Sequence, residues 1–104
     1  MQVIWNKKAL SQLDRTLEYG ERAFGTSTMQ KFYARVMSYV PLLASNPYMG
    51  AVEPLMAGRK TQYRSMVIHK HFKLVYRIDE QRQAIRIAAL WDTRREPRRQ
   101  AGVV

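Results

Sequence analysis

The chain has no cysteine, which removes disulfides, thiolate zinc sites and a cysteine nucleophile in one step. It is also poor in acid: 8 Asp and Glu stand against 18 Lys and Arg, giving a formal charge of +10 and a pI near 10.4. No apolar run is long enough to cross a bilayer, and the amino terminus lacks the basic-then-apolar order of a signal peptide. The expectation is a cytoplasmic protein that makes no membrane contact. Glycine-rich phosphate loops, nucleophile elbows, zinc-protease motifs, internal repeats and low-complexity tracts are all missing.

What remains is an ordinary globular composition, 46% hydrophobic and 25% charged, over 104 residues. That argues against disorder and for one domain spanning residues 1–104. The excess of positive charge favours a polyanionic partner: RNA, DNA or an acidic protein segment.

The stretch from Tyr63 to Arg95 alternates apolar and basic residues. In it Phe72, Leu74, Tyr76 and Ile78 share one face at period two, and Lys73, Val75, Arg77 and Asp79 the other, as in a half-buried strand. Gln83 to Trp91 repeats the pattern, with Ile85, Ile87, Ala89 and Trp91 on one face and Ala84, Arg86, Ala88 and Leu90 on the other. Its second face is less polar, so this strand is expected to be covered on both sides. Asp79 to Arg82 is short enough for a hairpin, and Gln62 to Ile68 reads as a third strand, joined through His69-Lys70-His71. Together they predict an antiparallel meander.

Ahead of it, Val3-Ile4-Trp5 is a short β-prone run suited to an edge strand, and Asn6 a helix cap. Leu10, Leu13, Leu17 and Phe24 form one apolar stripe on a helix from about Lys7 to about Phe24, with Lys8, Gln12, Arg15, Glu18 and Arg22 on its polar face. Gly25 should stop this helix and Thr26 or Ser27 start a second, carrying Met29, Phe32, Tyr33, Val36, Val40 and Leu43. Pro41 should kink that helix or end it early. Asn46 to Gly50 is turn chemistry, and the segment through Gly58 has no clear period, so it reads as a connecting loop. The fold class is therefore α+β, ordered β-α-α-β-β-β, with a helical hairpin on one face of a small, mainly antiparallel sheet.

Arg64, Lys73, Arg77, Arg86, Arg94 and Arg95 bring six cations to this sheet. If Arg64, Lys73 and either Arg94 or Arg95 converge, they make a phosphate-binding groove, able to hold RNA or to stabilise a phosphoryl transition state. Otherwise they are solvent-facing residues of a one-sided sheet. His69 and His71 are candidate general bases, with an exposed turn as the alternative placement. No set of ligands points to a metal or any other cofactor. Tyr63 is a candidate for stacking on a base, whereas Tyr76 and Trp91 are in phase with core positions.

The order strand, helix, helix, three strands resembles the RelE/ParE toxin superfamily of type II toxin–antitoxin systems. Asn46-Pro47-Tyr48-Met49-Gly50 resembles the family's turn after the second helix. Tyr63-Arg64-Ser65, the run His71 to Ile78, and the run Ala89 to Pro97 resemble its three successive strands and the arginine-bearing end of the sheet. The resemblance implies a toxin held inactive by a cognate antitoxin. It implies one of two targets: DNA gyrase, poisoned by ParE-like members, or mRNA on the ribosome, cut by RelE-like members.

For the nuclease, Arg64, Lys73 and Arg94 or Arg95 match the basic positions of the pattern. Met66 departs from it, and no Tyr or His follows Trp91, so the usual proton-transfer group of the tail is missing. His69 or His71 would have to substitute. For the gyrase inhibitor, the helical hairpin and carboxyl-terminal segment are the expected contact surface. The departures favour gyrase. An inactive homologue that acts only with its antitoxin on operator DNA is a further alternative.

Overall fold

The computed structural model describes residues 1–95. Strand β1 (Gln2–Trp5) leads into helices α1 (Lys7–Phe24) and α2 (Thr26–Ser45), followed by a two-residue strand β2 (Ala51–Val52), a 3-10 turn (Pro54–Met56), and the meander β3 (Arg64–His69), β4 (Phe72–Asp79) and β5 (Ala84–Asp92). The sheet order is β1-β5-β4-β3-β2. All pairings are antiparallel except β1 with β5, which is parallel. The expected α+β class and element order are those observed.

The β1–β5 ladder pairs Gln2 with Ala84 and Trp5 with Ile87. Asn6 continues it: its N–H donates to the Ile87 carbonyl at 2.9 Å while its backbone is extended. Its side chain makes no cap hydrogen bond to α1. Gly25, at φ 93, breaks the helical path between α1 and α2, a left-handed conformation that an L side chain disfavours.

Helix α1 packs Ala9 and Leu13 into the core, with Leu17 partly buried, and buries Gly20 against Met29 of α2. Leu10 and Phe24, expected in that stripe, are exposed. Gln12, expected on the polar face, instead turns inward, where its Oε1 accepts from the Leu90 N–H at 2.9 Å. Strand β1 ends at Trp5, so the adjoining edge of β5 beyond Ile87 has no neighbouring strand, and Gln12 supplies the missing acceptor. Helix α2 buries Phe32, Val36 and Leu43 and does not stop at Pro41. The ring of Pro41 lies on an exposed face, and Leu43, fully buried two residues later, anchors the last turn. Asn46 closes it, with both its N–H and its side-chain amide donating to the Leu42 carbonyl.

Between the helices and the sheet lies the main core, which includes Leu13, Phe32, Val36, Leu43, Ile68, Leu74, Tyr76, Ile85, Ile87 and Leu90. A register shift between Val75 and Tyr76 places a bulge in β5: Ala89 opposes Val75 and Ile87 opposes Tyr76, leaving Ala88 extra. The extra residue reverses the facing of everything beyond it. Leu90 therefore joins the core with Ile87, whereas Ala89 and Trp91 lie on the opposite face. This corrects the expectation that Ala89 and Trp91 are in phase with Ile87. Trp91 is buried, but away from the helices.

That opposite face has its own cover. The segment from Glu53 to Tyr63 is not a bare connecting loop: it contains the 3-10 turn and lays Met56 and Tyr63 on Val75 and Ala89 as a second, smaller cluster. The Glu53 N–H donates to the Tyr63 carbonyl at 2.9 Å, so the strap closes on itself.

Candidate functional site

Three groups of polar residues stand apart on this frame, and the first lies under the strap. Lys73 is opposite Trp91 on β5 and Val67 on β3, on the face away from the helices. Its ammonium donates to both oxygens of Glu53, at 3.0 and 2.9 Å. Glu53, 1% exposed, also accepts from the Ser65 hydroxyl and from the Leu55 N–H at 3.2 Å. Burial alone would push the Glu53 carboxyl up, but the hydrogen bonds from Ser65, Lys73 and Leu55 outweigh it and hold the group below its ordinary value. Sequence reasoning missed Glu53. Its only signal was a lone acid followed by proline, which marks the first turn of the 3-10 helix but not its partner.

The second group is at the sheet edge. Arg64 pairs in register with the core residue Tyr76, so it faces the helical side, beyond the end of α2. Its guanidinium donates to the Gly50 carbonyl at 2.8 Å and lies 4.9 Å from the centre of the Tyr48 ring. Tyr76 ties the same turn down: its hydroxyl accepts from the Gly50 N–H at 2.9 Å and donates to the Pro47 carbonyl at 2.8 Å. Tyr48 in turn donates to Glu80.

At the far end of β5 the two arginines separate. Arg94 forks onto Asp92 at 2.8 and 3.0 Å, and that bond chiefly holds the Asp92 carboxyl below its ordinary value. Arg95 instead lies 5.7 Å from the centre of the Trp91 ring. Arg77 and Arg86 face each other across β4 and β5. Asp79 lies beside them, hydrogen-bonded to Arg82 at 3.2 Å and ion-paired with Arg86 at 3.7 Å.

Arg64, Lys73 and Arg94 are thus not gathered into one groove: Arg64 and Lys73 occupy opposite faces, and Lys73 and Arg94 are each held by a carboxylate. Tyr63, the candidate for stacking, packs on the cluster under the strap. The histidines also separate. His71 is in the β3–β4 turn, half-buried, its carbonyl accepting from the Thr93 N–H at 2.7 Å. His69, expected in that turn, ends β3 and meets the Phe32 ring edge-on at 5.4 Å. Its Nδ1 is sealed from solvent with no hydrogen-bond partner. Burial first, then the charges of Arg35 and His71, push the imidazole down from its ordinary value. No group of three or more His, Cys, Asp or Glu that could hold a metal ion occurs among the described residues, and none of their helices is long and apolar enough to cross a membrane.

Apart from these groups, a groove of about 590 Å³ lies between the helical hairpin and the β3–β4 turn. Tyr19 and Phe24 of α1, Met29 and Phe32 of α2, His69 and Phe72 line it, with Lys31, Arg35 and Arg94 contributing the cations.

No curated protein sequence matches this chain. Among solved structures, one described as the chromosomal ParDE toxin–antitoxin system from P. aeruginosa aligns with a TM-score of 0.71 at 19% identity, covering 88% of this chain and 95% of that one. That likeness is of fold. The family described as the ParE toxin of the type II toxin–antitoxin system parDE matches residues 3–97. With nearly the whole β-α-α-β-β-β frame inside that match, the chain belongs to the ParE toxin family of type II toxin–antitoxin systems.

Proposed function

We propose that this ParE-family toxin arrests growth by inhibiting DNA gyrase, and that its cognate antitoxin, the partner its family implies, neutralises it by covering its surface. The observation that carries this reading is the engagement of Lys73 by the buried Glu53 on the face opposite Arg64. Ribonuclease chemistry at a scissile phosphate calls for several uncompensated cations aimed at one point, and a proton carrier beside them. Here Lys73 and Arg94 are each paired with a carboxylate of the same chain, and His69 packs in an aromatic cluster with its Nδ1 sealed from solvent. The alternative, RelE-like cleavage of mRNA on the ribosome, would require this arrangement to come apart. The carboxyl-terminal part of the expected gyrase surface falls in residues 96–104, outside the described residues.

The test is induction of the chain without its antitoxin, with transcript ends mapped and the supercoiling of a reporter plasmid followed in the same culture. Intact transcripts with lost negative supercoiling or trapped DNA breaks are expected. New cleavage sites inside translated codons with supercoiling unchanged would overturn the reading in favour of the ribonuclease and make Arg64, Lys73, Arg94 and Arg95 the residues to mutate. Unimpaired growth would instead indicate an inactive homologue that acts with antitoxin on operator DNA.

A further inference from the structure

One row across the sheet sets two arginines side by side with too little negative charge between them. Arg77 of β4 pairs in register with Arg86 of β5, and Arg86 with Ile4 of β1. Their strand neighbours Tyr76, Ile78, Ile85 and Ile87 all pack into the main core, so both arginines project from the face away from the helices. Like charges directly opposite on neighbouring strands repel, so the pair costs stability unless an acid offsets it. Here one acid serves three guanidinium groups. Asp79, 8% exposed, is hydrogen-bonded to Arg82 and ion-paired with Arg86. Arg77 acts on that carboxylate through its charge but makes no hydrogen bond or ion pair of its own among the described residues.

We propose that this row is a contact site for the backbone of duplex DNA, with Arg77 and Arg86 donating to phosphate oxygens and Arg82 adding charge at the rim. A phosphate supplies the negative charge that Asp79 alone does not, and the planar guanidinium fork matches its oxygens. Both central side chains are half-buried, Arg86 at 26% exposure, so binding freezes less motion than it would in freely extended surface cations. A single strand fits less well, because such strands are held by stacking on open aromatic rings. The aromatic residues of this face are already packed, Tyr63 on Val75 and Ala89, and Trp91 buried. An acidic protein segment would meet the charges, but in the row it would find only Ile4 as apolar contact.

The site goes beyond the gyrase reading, and only the choice of DNA over RNA rests on it, gyrase being an enzyme that acts on duplex DNA. The helical hairpin, the expected gyrase surface, lies across the sheet from the arginine row. One chain can therefore hold enzyme and duplex at once.

The measurement is fluorescence anisotropy of a labelled DNA duplex titrated with the full chain, without gyrase or antitoxin, over a series of salt concentrations. The logarithm of the affinity should fall linearly with the logarithm of salt. With 18 Lys and Arg the whole chain attracts DNA, so each variant removes one charge, but from a different place. Arg77→Gln and Arg86→Gln should each weaken binding about fivefold at low salt and reduce the salt slope by about one. Arg15→Gln, exposed on α1 across the sheet, should weaken it less than about twofold. Arg77→Gln also removes a like-charge contact, so its melting temperature should hold or rise, which separates lost binding from lost fold. Equal losses in all three variants would overturn the proposal, because overall charge would then account for the binding. So would tighter binding of an RNA duplex of the same sequence, or binding of polyglutamate with the same dependence on Arg77 and Arg86, which would indicate an acidic protein partner. Gyrase takes no part in this binding, so its failure leaves the proposed target standing. Unchanged supercoiling in induced cells, with arginine-dependent duplex binding in vitro, would fail the target and not the site.

Discussion

On the helical side of the sheet, Leu74, Tyr76, Ile85 and Ile87 are fully buried against α1 and α2, and the polar atoms that reach this layer are few. On the other side a strap bearing one 3-10 turn lays Met56 and Tyr63 on Val75 and Ala89. Beside them stands a polar cluster of Lys73, Glu53 and Ser65, held by an ion pair and hydrogen bonds. Area buried by whole helices is robust to single changes because it is spread over many contacts. A single buried ion pair is not, because removing one partner strands the other's charge.

That contrast fixes the order of expected effects. Lys73→Met should be the most damaging, costing roughly 3 kcal/mol in chemical denaturation by leaving Glu53 charged and unpaired. The double variant Lys73→Met/Glu53→Met should recover part of it. A double variant as unstable as the sum of the singles would mean that the pair does not act as a unit. Next is Gly50→Ala, whose Cβ would fall 2.7 Å from the Tyr76 hydroxyl and 2.8 Å from the Ser65 carbonyl. Neither neighbour is a flexible chain end, so a loss of about 1–3 kcal/mol is expected, read by thermal melting.

Acid should separate the two faces. The Glu53 pKa is depressed on folding, so its stabilisation is present above its ordinary value of 4.5 and is lost as pH falls through the folded-state value. For His69, also depressed, the folded state resists protonation. Stability therefore stays level above its ordinary value of 6.5 and declines as pH falls from there to the folded-state value. The groups facing this ring are Arg35 on α2 and His71 in the turn. His69→Phe should flatten the higher window only, in denaturation curves taken across the range, and Lys73→Met should alter the lower one only. The smallest effect is expected for Leu10→Gln on α1, within about 0.5 kcal/mol, because Leu10 is exposed rather than part of the buried stripe.

Much of this frame was legible. Period two in Phe72 to Asp79, helical spacing from Lys7 to Phe24, and Gly25 between the helices are local signals, and each marks the element observed. The family resemblance likewise rested on short motifs in order. Less legible was anything that depends on distant contacts. Pro41 was expected to kink α2 or end it early, but the helix does not end there, and Leu43 packing into the core carries it past the proline. Gln12 reads as a surface residue until the unpaired edge of β5 is brought against it. As for the candidate site, the residue types were identifiable but their grouping was not, since Glu53 lies outside any periodic pattern and Lys73 is twenty residues away in the chain.

The sequence by itself determined the element order, the basic surface and the family, because hydrophobic period, turn residues and charge are properties of neighbouring positions. Only the tertiary structure decided which cations stand together. One extra residue at Ala88 reverses the facing of Ala89 to Trp91, and the strap carries Glu53 onto Lys73. Strand register and loop closure depend on the whole sheet, and no local run of residues encodes them.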